Sequence, residues 1–351
     1  MEFFKQTSQG FRWRRIFAVS IAVSLSSFFL GCSDQGEVVS PSTEQGEIHE
    51  SSREIDDRVP LVVYQVELLV GDGADPVFAR MVERMLLKHA NADAGLSMTQ
   101  NTEEKPDVFV LIGELSDAEK SELEENVAVI RVGDRFADDP NLAAVVGADS
   151  AFAAGQFGEA ARGVADGRGE VLVAPVPSDN VSAIERVNEF AKYLARVSSS
   201  NSQDGFVMVA ADVPMESWED TEKWLADSIE PSLRDNELAV LVGFNRAATE
   251  RLLLRIRAVG LSQVVPLVGF GLDHSLVEAM DAGELGGVLI YDPGTLESAL
   301  RVALDKAERV LKEDYSPLET VDLTVPLRWL NFEAMASDEG RSLSKPYLES
   351  E

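Results

Sequence analysis

The chain has 351 residues and a formal net charge of −30 at pH 7, because 61 acidic side chains outnumber 31 basic ones. This negative charge repels the phosphates of nucleic acids and anionic lipid surfaces, so the sequence excludes both as principal partners. Hydrophobic residues make up 45% of the chain, which at this length is enough for two sizeable cores. Cys32 is the only cysteine, so no intramolecular disulfide forms and the fold must be stable by packing alone.

The first 31 residues predict an export leader. Arg12, Arg14 and Arg15 precede an apolar run over 16–30 that is long enough for a signal peptide but short for a membrane span. The run ends directly before Cys32, an arrangement that resembles the cleavage site of bacterial lipoproteins, in which the thiol is acylated. We therefore predict a lipoprotein signal peptide over 1–31 and an exported protein on the periplasmic face of a bacterial membrane, anchored in the bilayer through acylated Cys32. A plain secretory signal or an uncleaved anchor is the alternative.

Residues 32–58 hold few large apolar side chains and many Ser, Glu, Gln and Asp residues, which predicts a disordered tether. From Val59 onward, short Val-rich runs alternate with longer amphipathic stretches. The predicted strands are 60–68, 107–115, 127–133, 142–148, 170–176, 205–213, 238–244, 264–271, 286–292 and 321–327. The predicted helices are 75–90, 116–126, 151–167, 181–198, 217–226, 246–259, 274–282 and 295–311. Near-continuous apolar strands separated by helices favour parallel sheets covered on both faces, and their number predicts two lobes.

Several short motifs along this pattern resemble those of the periplasmic sugar-binding proteins of the ribose and galactose type, whose fold is shared with LacI-type repressor cores. Asp75-Pro76-Val77-Phe78 follows the first strand, and the Asp134-Arg135 pair follows the third. The run 186–190 (RVNEF) is similar to the family's RxxGF, with Glu in place of Gly. The similarity runs from about Val59 to Asn331. It implies a two-lobed α/β type I periplasmic binding protein, in which each lobe is a mostly parallel sheet flanked by helices.

The same resemblance implies three hinge crossings between the lobes, near 148–150, 291–292 and 320–322. The N-lobe would then comprise 59–149 and 291–319. The C-lobe would comprise 150–290 and 320–335. Residues 336–351 are predicted to form a polar tail.

Ligands of such sheets bind beyond the carboxyl ends of the strands. A sugar site needs aromatic faces for the C–H surfaces of the ring and charged groups for its hydroxyls, and Asp offers only acceptors where Arg offers five donors. By the resemblance, the candidate ligand-binding residues are Asp75, Phe78, Asp134, Arg135, Arg186 and Trp218. Each has a structural alternative, because such residues also form local salt bridges, solvated helix faces and core anchors.

The later half of the predicted site departs from the family pattern. Phe244-Asn245 stand where the family has Asn-Asp, and Gly271 replaces an Asp, with Asp273 two residues on. Tyr291 replaces a Gln at the second crossing. We include Phe244, Asn245, Asp273 and Tyr291 among the candidates. These changes make the pocket more aromatic and less polar, so we expect the fold to be kept and the ligand to differ from a simple pentose or hexose.

Enzyme chemistry has no support in the sequence. The three histidines, His49, His89 and His274, are scattered, so we expect no catalytic triad, metal site or cofactor. The leading hypothesis is a monomeric, lipid-anchored substrate-binding protein of an ABC-type sugar uptake system, which closes its lobes on a small sugar-like ligand for a permease. One alternative is a sensor that presents a small molecule to a membrane receptor or kinase. Another is a degenerate binding domain with a protein-interaction role.

Overall fold

The computed structural model of the chain describes residues 19–22, 63–71, 73–92, 106–116, 120–121, 123, 127–133, 142–165, 169–178, 180–200, 205–211, 214–234, 238–312 and 320–350. Its strands are β1 (Val19–Ala22), β2 (Val63–Val70), β3 (Val108–Ile112), β4 (Ala128–Gly133), β5 (Leu142–Gly147), β6 (Gly169–Val173), β7 (Phe206–Val209), β8 (Leu238–Val242), β9 (Leu267–Phe270), β10 (Gly287–Tyr291), β11 (Val321–Thr324) and β12 (Leu327–Leu330). Its helices are α1 (Pro76–Ala92), α2 (Ser150–Val164), α3 (Val181–Ser200), α4 (Trp218–Arg234), α5 (Arg246–Ala258), α6 (His274–Asp281), α7 (Pro293–Lys312), α8 (Phe332–Ala336) and α9 (Asp338–Leu348).

The strands form two six-stranded sheets, ordered β1-β2-β3-β4-β5-β11 and β12-β10-β9-β8-β6-β7. Among the described strands, only β1 and β12, each at a sheet edge, pair antiparallel with their neighbours. Strands β3, β4 and β10 are buried along their whole length, as strands covered by helices on both faces require. The predicted two-lobed α/β architecture is therefore confirmed. Among the described helices, none combines the length and hydrophobicity of a membrane span.

Strand β1 falls within the apolar run that the sequence assigns to the leader. It pairs with β2 in the register Val19↔Val66 to Ala22↔Val63 and extends the first sheet by one edge strand. Cleavage before Cys32 would remove β1 and leave β2 as the sheet edge. Cys32 itself and the predicted tether lie outside the described residues.

The chain passes between the two sheets three times. The first two connections, β5 to α2 and β10 to α7, fall where the sequence predicts them. The third lies at 325–326 rather than near 320–322, because the predicted strand 321–327 is two strands: β11 pairs with β5 in the first sheet, and β12 pairs with β10 in the second. The connections are tied to one another, since the Val325 amide donates to Gly147 O (2.8 Å) and the Asp292 amide donates to Pro326 O (2.9 Å).

The C-terminal residues form helices α8 and α9 rather than a polar tail. Helix α9 begins at a cap in which Ser337 Oγ accepts from the Gly340 amide (2.9 Å). Its buried residues, Gly340, Ser344 and Tyr347, recur every three or four positions, so one stripe of the helix faces the protein. The segment is therefore part of the folded core.

Helix α2 offers a matched test of this packing, because Gly158 and Gly163 lie on the same helix in opposite surroundings. A Cβ on Gly158 would lie 2.0 Å from Tyr193 Cε1, whereas a Cβ on Gly163 would meet nothing within 4 Å. We expect Gly158→Ala to lower the free energy of unfolding by about 1–3 kcal/mol through overpacking. Gly163→Ala should raise it by roughly 0.5–1 kcal/mol through helix propensity. Urea titrations measure both; equal effects would contradict the α2–α3 packing.

Candidate functional site

A cavity of about 60 Å³ lies between the two sheets, beyond the carboxyl ends of their strands. Its lining includes polar and aromatic side chains from both lobes, among them Asp75, Phe78, Asn180, Arg186, Asn245, Arg246, Tyr291 and Tyr347. The cavity is smaller than the roughly 300–1,000 Å³ of typical small-molecule sites. In this arrangement the cleft is closed.

An ion pair spans the cleft. Arg246, the first residue of α5, places Nε 3.1 Å from Asp75 Oδ1, and Asp75 follows β2 in the other sheet. The same guanidinium contacts Asp273 Oδ2 (2.7 Å) and Glu250 on its own side of the cleft. Gly271 makes room for this approach: it has φ +82°, and a Cβ there would lie 3.0 Å from Arg246 Cβ and 3.3 Å from Asp75 Oδ2. A side chain at this position would be strained and crowded.

The carboxylates set the charge state of the ion-pair group. Burial alone lowers the pKa of the Arg246 guanidinium, but Asp75, Glu250 and Asp273 raise it above its ordinary value, so Arg246 is always charged. Burial, with a hydrogen bond to Asp273, raises the pKa of Glu250 to about 7, although Arg246 acts in the opposite direction. Burial raises the pKa of Asp273, but hydrogen bonds from Glu250 and from the Leu276 amide outweigh it, and the net pKa is lowered. Glu250 and Asp273 thus share one proton near neutral pH, held mainly by Glu250.

Two further hydrogen bonds join the lobes at the rim of the cavity. Asn180, directly before α3, donates from Nδ2 to Gly73 O (3.2 Å). Tyr291, at the end of β10, donates from its hydroxyl to Gly133 O (3.2 Å). Together with the Asp75–Arg246 pair, these contacts bridge the cleft with the protein's own groups.

Aromatic rings form one wall of the cavity. The Tyr291 ring lies 5.0 Å from the Phe78 ring and 5.6 Å, edge-on, from the Phe270 ring. The Arg186 guanidinium stacks over Phe270 at 4.5 Å from the ring centroid, a cation–π contact. This wall combines flat apolar faces with a fixed cationic donor.

Asn245 contributes an amide side chain to the lining of the cavity. Its Oδ1 accepts from the Ala248 amide (2.7 Å) and caps α5, which fixes the orientation of the side chain. The residue is 8% exposed and lines the cavity, while its Nδ2 is buried and has no hydrogen-bond partner among the described residues. A buried donor left unpaired costs about 1–3 kcal/mol, so this amide nitrogen favours an acceptor in the cavity.

The structure brings five of the predicted site residues together on the cavity: Asp75, Phe78, Arg186, Asn245 and Tyr291. Asp273 caps α6 and reaches the cavity only through Arg246. Asp134 and Arg135 lie outside the described residues.

Two predicted residues lie elsewhere. Phe244 is fully buried in the C-lobe core, because its ring fills the space between Phe157 of α2 (4.3 Å) and Phe190 of α3 (5.2 Å). Trp218 begins α4 and lies under the guanidinium of Arg251 (4.7 Å), away from the cavity.

Sequence reasoning missed Asn180, Arg246 and Tyr347. The first two carry a usable signal, because each is a polar residue at the start of a predicted helix that follows a predicted strand. Tyr347 has no comparable signal, since its helix lies after the last strand and reaches the cavity only through the tertiary fold.

With this geometry in place, the chain can be compared with known proteins. No known protein-family profile matches the sequence, and no curated protein matches it. Solved structures do. One is an ABC transporter solute-binding protein from Agrobacterium vitis, bound with α-D-tagatopyranose. It is 14% identical to this chain with a TM-score of 0.60, and the match covers 79% of this chain and 98% of that protein's chain. Another is a carbohydrate transporter solute-binding protein from Agrobacterium radiobacter, in complex with D-arabinose. It is 16% identical with a TM-score of 0.57, and the match covers 79% of this chain and 97% of that protein's chain.

A third is the periplasmic component of an ABC-type sugar transport system from Hahella chejuensis. It is 18% identical with a TM-score of 0.54, and the match covers 75% of this chain and 98% of that protein's chain. At these identities the likeness establishes the fold: this chain has the two-lobed fold of periplasmic sugar-binding proteins.

Among the residues that the structure describes, no group of three or more His, Cys, Asp or Glu side chains is placed to hold a metal ion.

The shared proton of Glu250 makes stability depend on pH in a predictable direction. Its pKa is about 7 in the folded protein against an ordinary value of 4.5, so the folded state binds more protons between these values and stability falls as pH rises from about 4.5 to 8. Glu250→Gln keeps an amide donor toward Asp273 and removes this titration. Solvent screens this side chain, which is 32% exposed. We therefore expect the free energy of unfolding to fall by about 1–2 kcal/mol over this pH range in the unaltered protein, and not in Glu250→Gln.

The measurement is urea unfolding at several pH values from 5 to 8. The matched control is Glu284→Gln: the hydrogen bond from Arg257 lowers the pKa of Glu284, so this carboxylate stays ionised across the window and its loss shifts stability without changing the slope. The same pH slope in Glu250→Gln as in the unaltered protein would contradict the shared proton.

Proposed function

We propose that the chain is an exported, lipid-anchored binding protein that closes its two lobes on a small hydroxylated, sugar-like ligand and delivers it to an ABC-type permease. The observation that carries the proposal is Asn245, which lines the interlobe cavity as Arg186 does, and whose buried Nδ2 has no hydrogen-bond partner among the residues that the structure describes. The fold supports it, because its structural neighbours include proteins bound to D-arabinose and to α-D-tagatopyranose.

The lining chemistry suits such a ligand. Asn245 Nδ2 and the Arg186 guanidinium donate to ligand oxygens, and the Asp75 carboxylate accepts from a hydroxyl. Hydrogen bonds to charged groups contribute roughly 1.5–3 kcal/mol each, enough to distinguish hydroxyl positions. The faces of Phe78 and Tyr291 match the C–H surfaces of a ring. The Asp134-Arg135 pair remains part of the proposed site on the strength of the sequence resemblance.

Ligand entry requires the lobes to separate, because a cavity of about 60 Å³ does not admit a monosaccharide. Opening breaks the Asp75–Arg246 pair and the Asn180–Gly73 hydrogen bond. A ligand shifts the equilibrium only by its differential affinity for the two forms. Where the ligand replaces an internal bond, such as the Asp75–Arg246 pair, the apparent affinity is weakened by the free energy of the bond that is lost.

A second candidate function is a degenerate binding domain with a protein-interaction role. The specific observation in its favour is that three contacts between the protein's own groups, through Arg246, Asn180 and Tyr291, bridge the cleft. In this case the closed form is the functional surface and no small molecule is required.

Ligand binding discriminates the two functions. We expect the melting temperature to rise selectively with one chemical class of ligand. The screen contains D-arabinose, D-fucose, D-tagatose, and other monosaccharides and polyols. A ligand at 100 times its Kd stabilises the fold by about 2.7 kcal/mol. The sample is the secreted Cys32→Ser protein, in a thermal-shift screen followed by calorimetry. No shift with any of them would favour the degenerate domain.

Asn245→Asp tests the site itself, because the new carboxylate still caps α5 while the donor is lost. We expect about a tenfold or greater loss of affinity for the ligand found in the screen, corresponding to roughly 1.4 kcal/mol or more. Asn331→Asp is the matched control: Asn331 also caps a helix, accepting from the Ala334 amide (2.8 Å), but does not line the cavity. Equal affinities of the two variants would exclude Asn245 as a ligand donor.

Lipid anchoring makes a separate prediction. Cys32→Ser removes the acylated thiol, so the protein should move from the membrane fraction to the soluble periplasmic fraction, whereas Ser33→Ala should leave it on the membrane. Fractionation followed by mass measurement of the mature N-terminus checks both. Continued membrane retention of Cys32→Ser would refute the anchor.

A further inference from the structure

The C-terminal segment, residues 331–350, contacts both lobes. It follows β12 of the second sheet, and its first helix, α8, packs against α6 of the same lobe. Its second helix, α9, packs against α1 and α7, which accompany the first sheet. The segment therefore runs from the C-lobe onto the N-lobe beside the cleft.

The two helices of the segment form a tight pair. A Cβ on Gly340 would lie 1.9 Å from Ala334 O, so only glycine permits this approach of α9 to α8. Ser337 caps α9 through the Gly340 amide and also donates from its hydroxyl to Ala334 O (2.6 Å). These bonds fix the direction in which α9 leaves α8.

The buried stripe of α9 carries one large side chain. Gly340 and Ser344 are small and let the helix lie close to the body of the protein, and Tyr347 then projects inward with 2% exposure. The Tyr347 hydroxyl donates to Tyr291 O (3.0 Å), at the point where the chain crosses between the lobes. Burial raises the pKa of Tyr347 well above its ordinary value, so the hydroxyl stays a donor.

Tyr347 also lines the interlobe cavity, together with Asp75, Phe78 and Tyr291. We infer that Tyr347 is a specificity-determining residue: its ring is the wall that limits the size of the ligand that the cleft accepts. This inference rests on the proposed function, because the size limit applies to the ligand that the proposed site binds. The C-terminal helix pair holds the ring in place, and the ligands admitted are small hydroxylated molecules such as tetritols rather than disaccharides.

The first test measures access to the cavity without any ligand. In a Cys32→Ser background, Ser182→Cys places a single thiol on the cavity wall. Its rate of reaction is compared for methyl methanethiosulfonate and for the bulkier benzyl methanethiosulfonate. Tyr347→Ala should raise the benzyl-to-methyl rate ratio at least tenfold, and Tyr347→Phe, which keeps the ring and loses only the hydroxyl, should leave the ratio unchanged.

Since Tyr347→Ala removes a buried ring that packs the segment, Tyr347→Leu is measured beside it, and circular dichroism confirms that each variant is folded. An unchanged rate ratio in folded Tyr347→Ala and Tyr347→Leu would overturn the inference. An equal increase in Tyr347→Phe would also overturn it, because the hydroxyl contact rather than the ring would then control access.

The second test uses calorimetry with erythritol, D-arabinose, D-tagatose and trehalose. Tyr347→Ala should shift the preference by at least tenfold toward the larger probes, while Tyr347→Phe keeps the order of the unaltered protein. The two proposals fail separately. A raised thiol rate ratio with no binding of any probe supports the wall and counts against the proposed function. If Tyr347→Ala binds the probes with the same order of affinities as the unaltered protein and its thiol rate ratio is unchanged, Tyr347 does not limit ligand size, and the proposed function is still supported.

Discussion

The closed cleft depends on one constraint, the charge of Arg246. A guanidinium that is 16% exposed needs carboxylates around it, and the protein supplies Asp273 and Glu250 from the same lobe and Asp75 from the other. Because Asp75 stands directly before α1, satisfying this charge fixes how the N-lobe sits over the C-lobe. The glycine at 271 follows from the same constraint, since a side chain there would occupy the space between Arg246 and Asp75.

This ion pair specifies geometry more than it adds stability. Removing two charges from water offsets most of their attraction, so a partly buried salt bridge is weak evidence for a large stabilisation. Breaking it without replacement is costly, however, because each charge is then left without its partner. The cleft is thus held closed by a bond that a ligand can exchange, provided that it offers acceptors to Arg246 and donors to Asp75. Hydroxyl groups offer both, so a hydroxylated ligand can take over the partners that Arg246 and Asp75 have in one another.

Much of the fold is readable from the sequence, because near-continuous apolar strands alternate with amphipathic helices. The predicted order of strands and helices holds from β2 to β10, except that most of the predicted helix 116–126 lies outside the described residues. Two features escape this reasoning for physical reasons. Only Val325 and Pro326 separate β11 from β12, too few residues for hydrophobic periodicity to mark the point where one predicted strand becomes two in different sheets, and Pro326 is the one local signal of a break. The last helix is rich in charged side chains, and its apolar stripe contains only one large buried residue, Tyr347.

The site is predictable only in part, for a related reason. Residues that directly follow strands, such as Asp75 and Asn245, are placed by topology alone, and they do line the cavity. Phe244 satisfies the same rule but turns into the core, because the aromatic cluster between α2 and α3 buries its ring. The choice between two adjacent residues, one facing the core and one facing the cleft, is made by packing. Polarity is the better guide here, because a polar side chain cannot be buried without hydrogen bonds and therefore lies at the cleft. Asn245 lines the cleft, and among the described residues its Nδ2 has no hydrogen-bond partner.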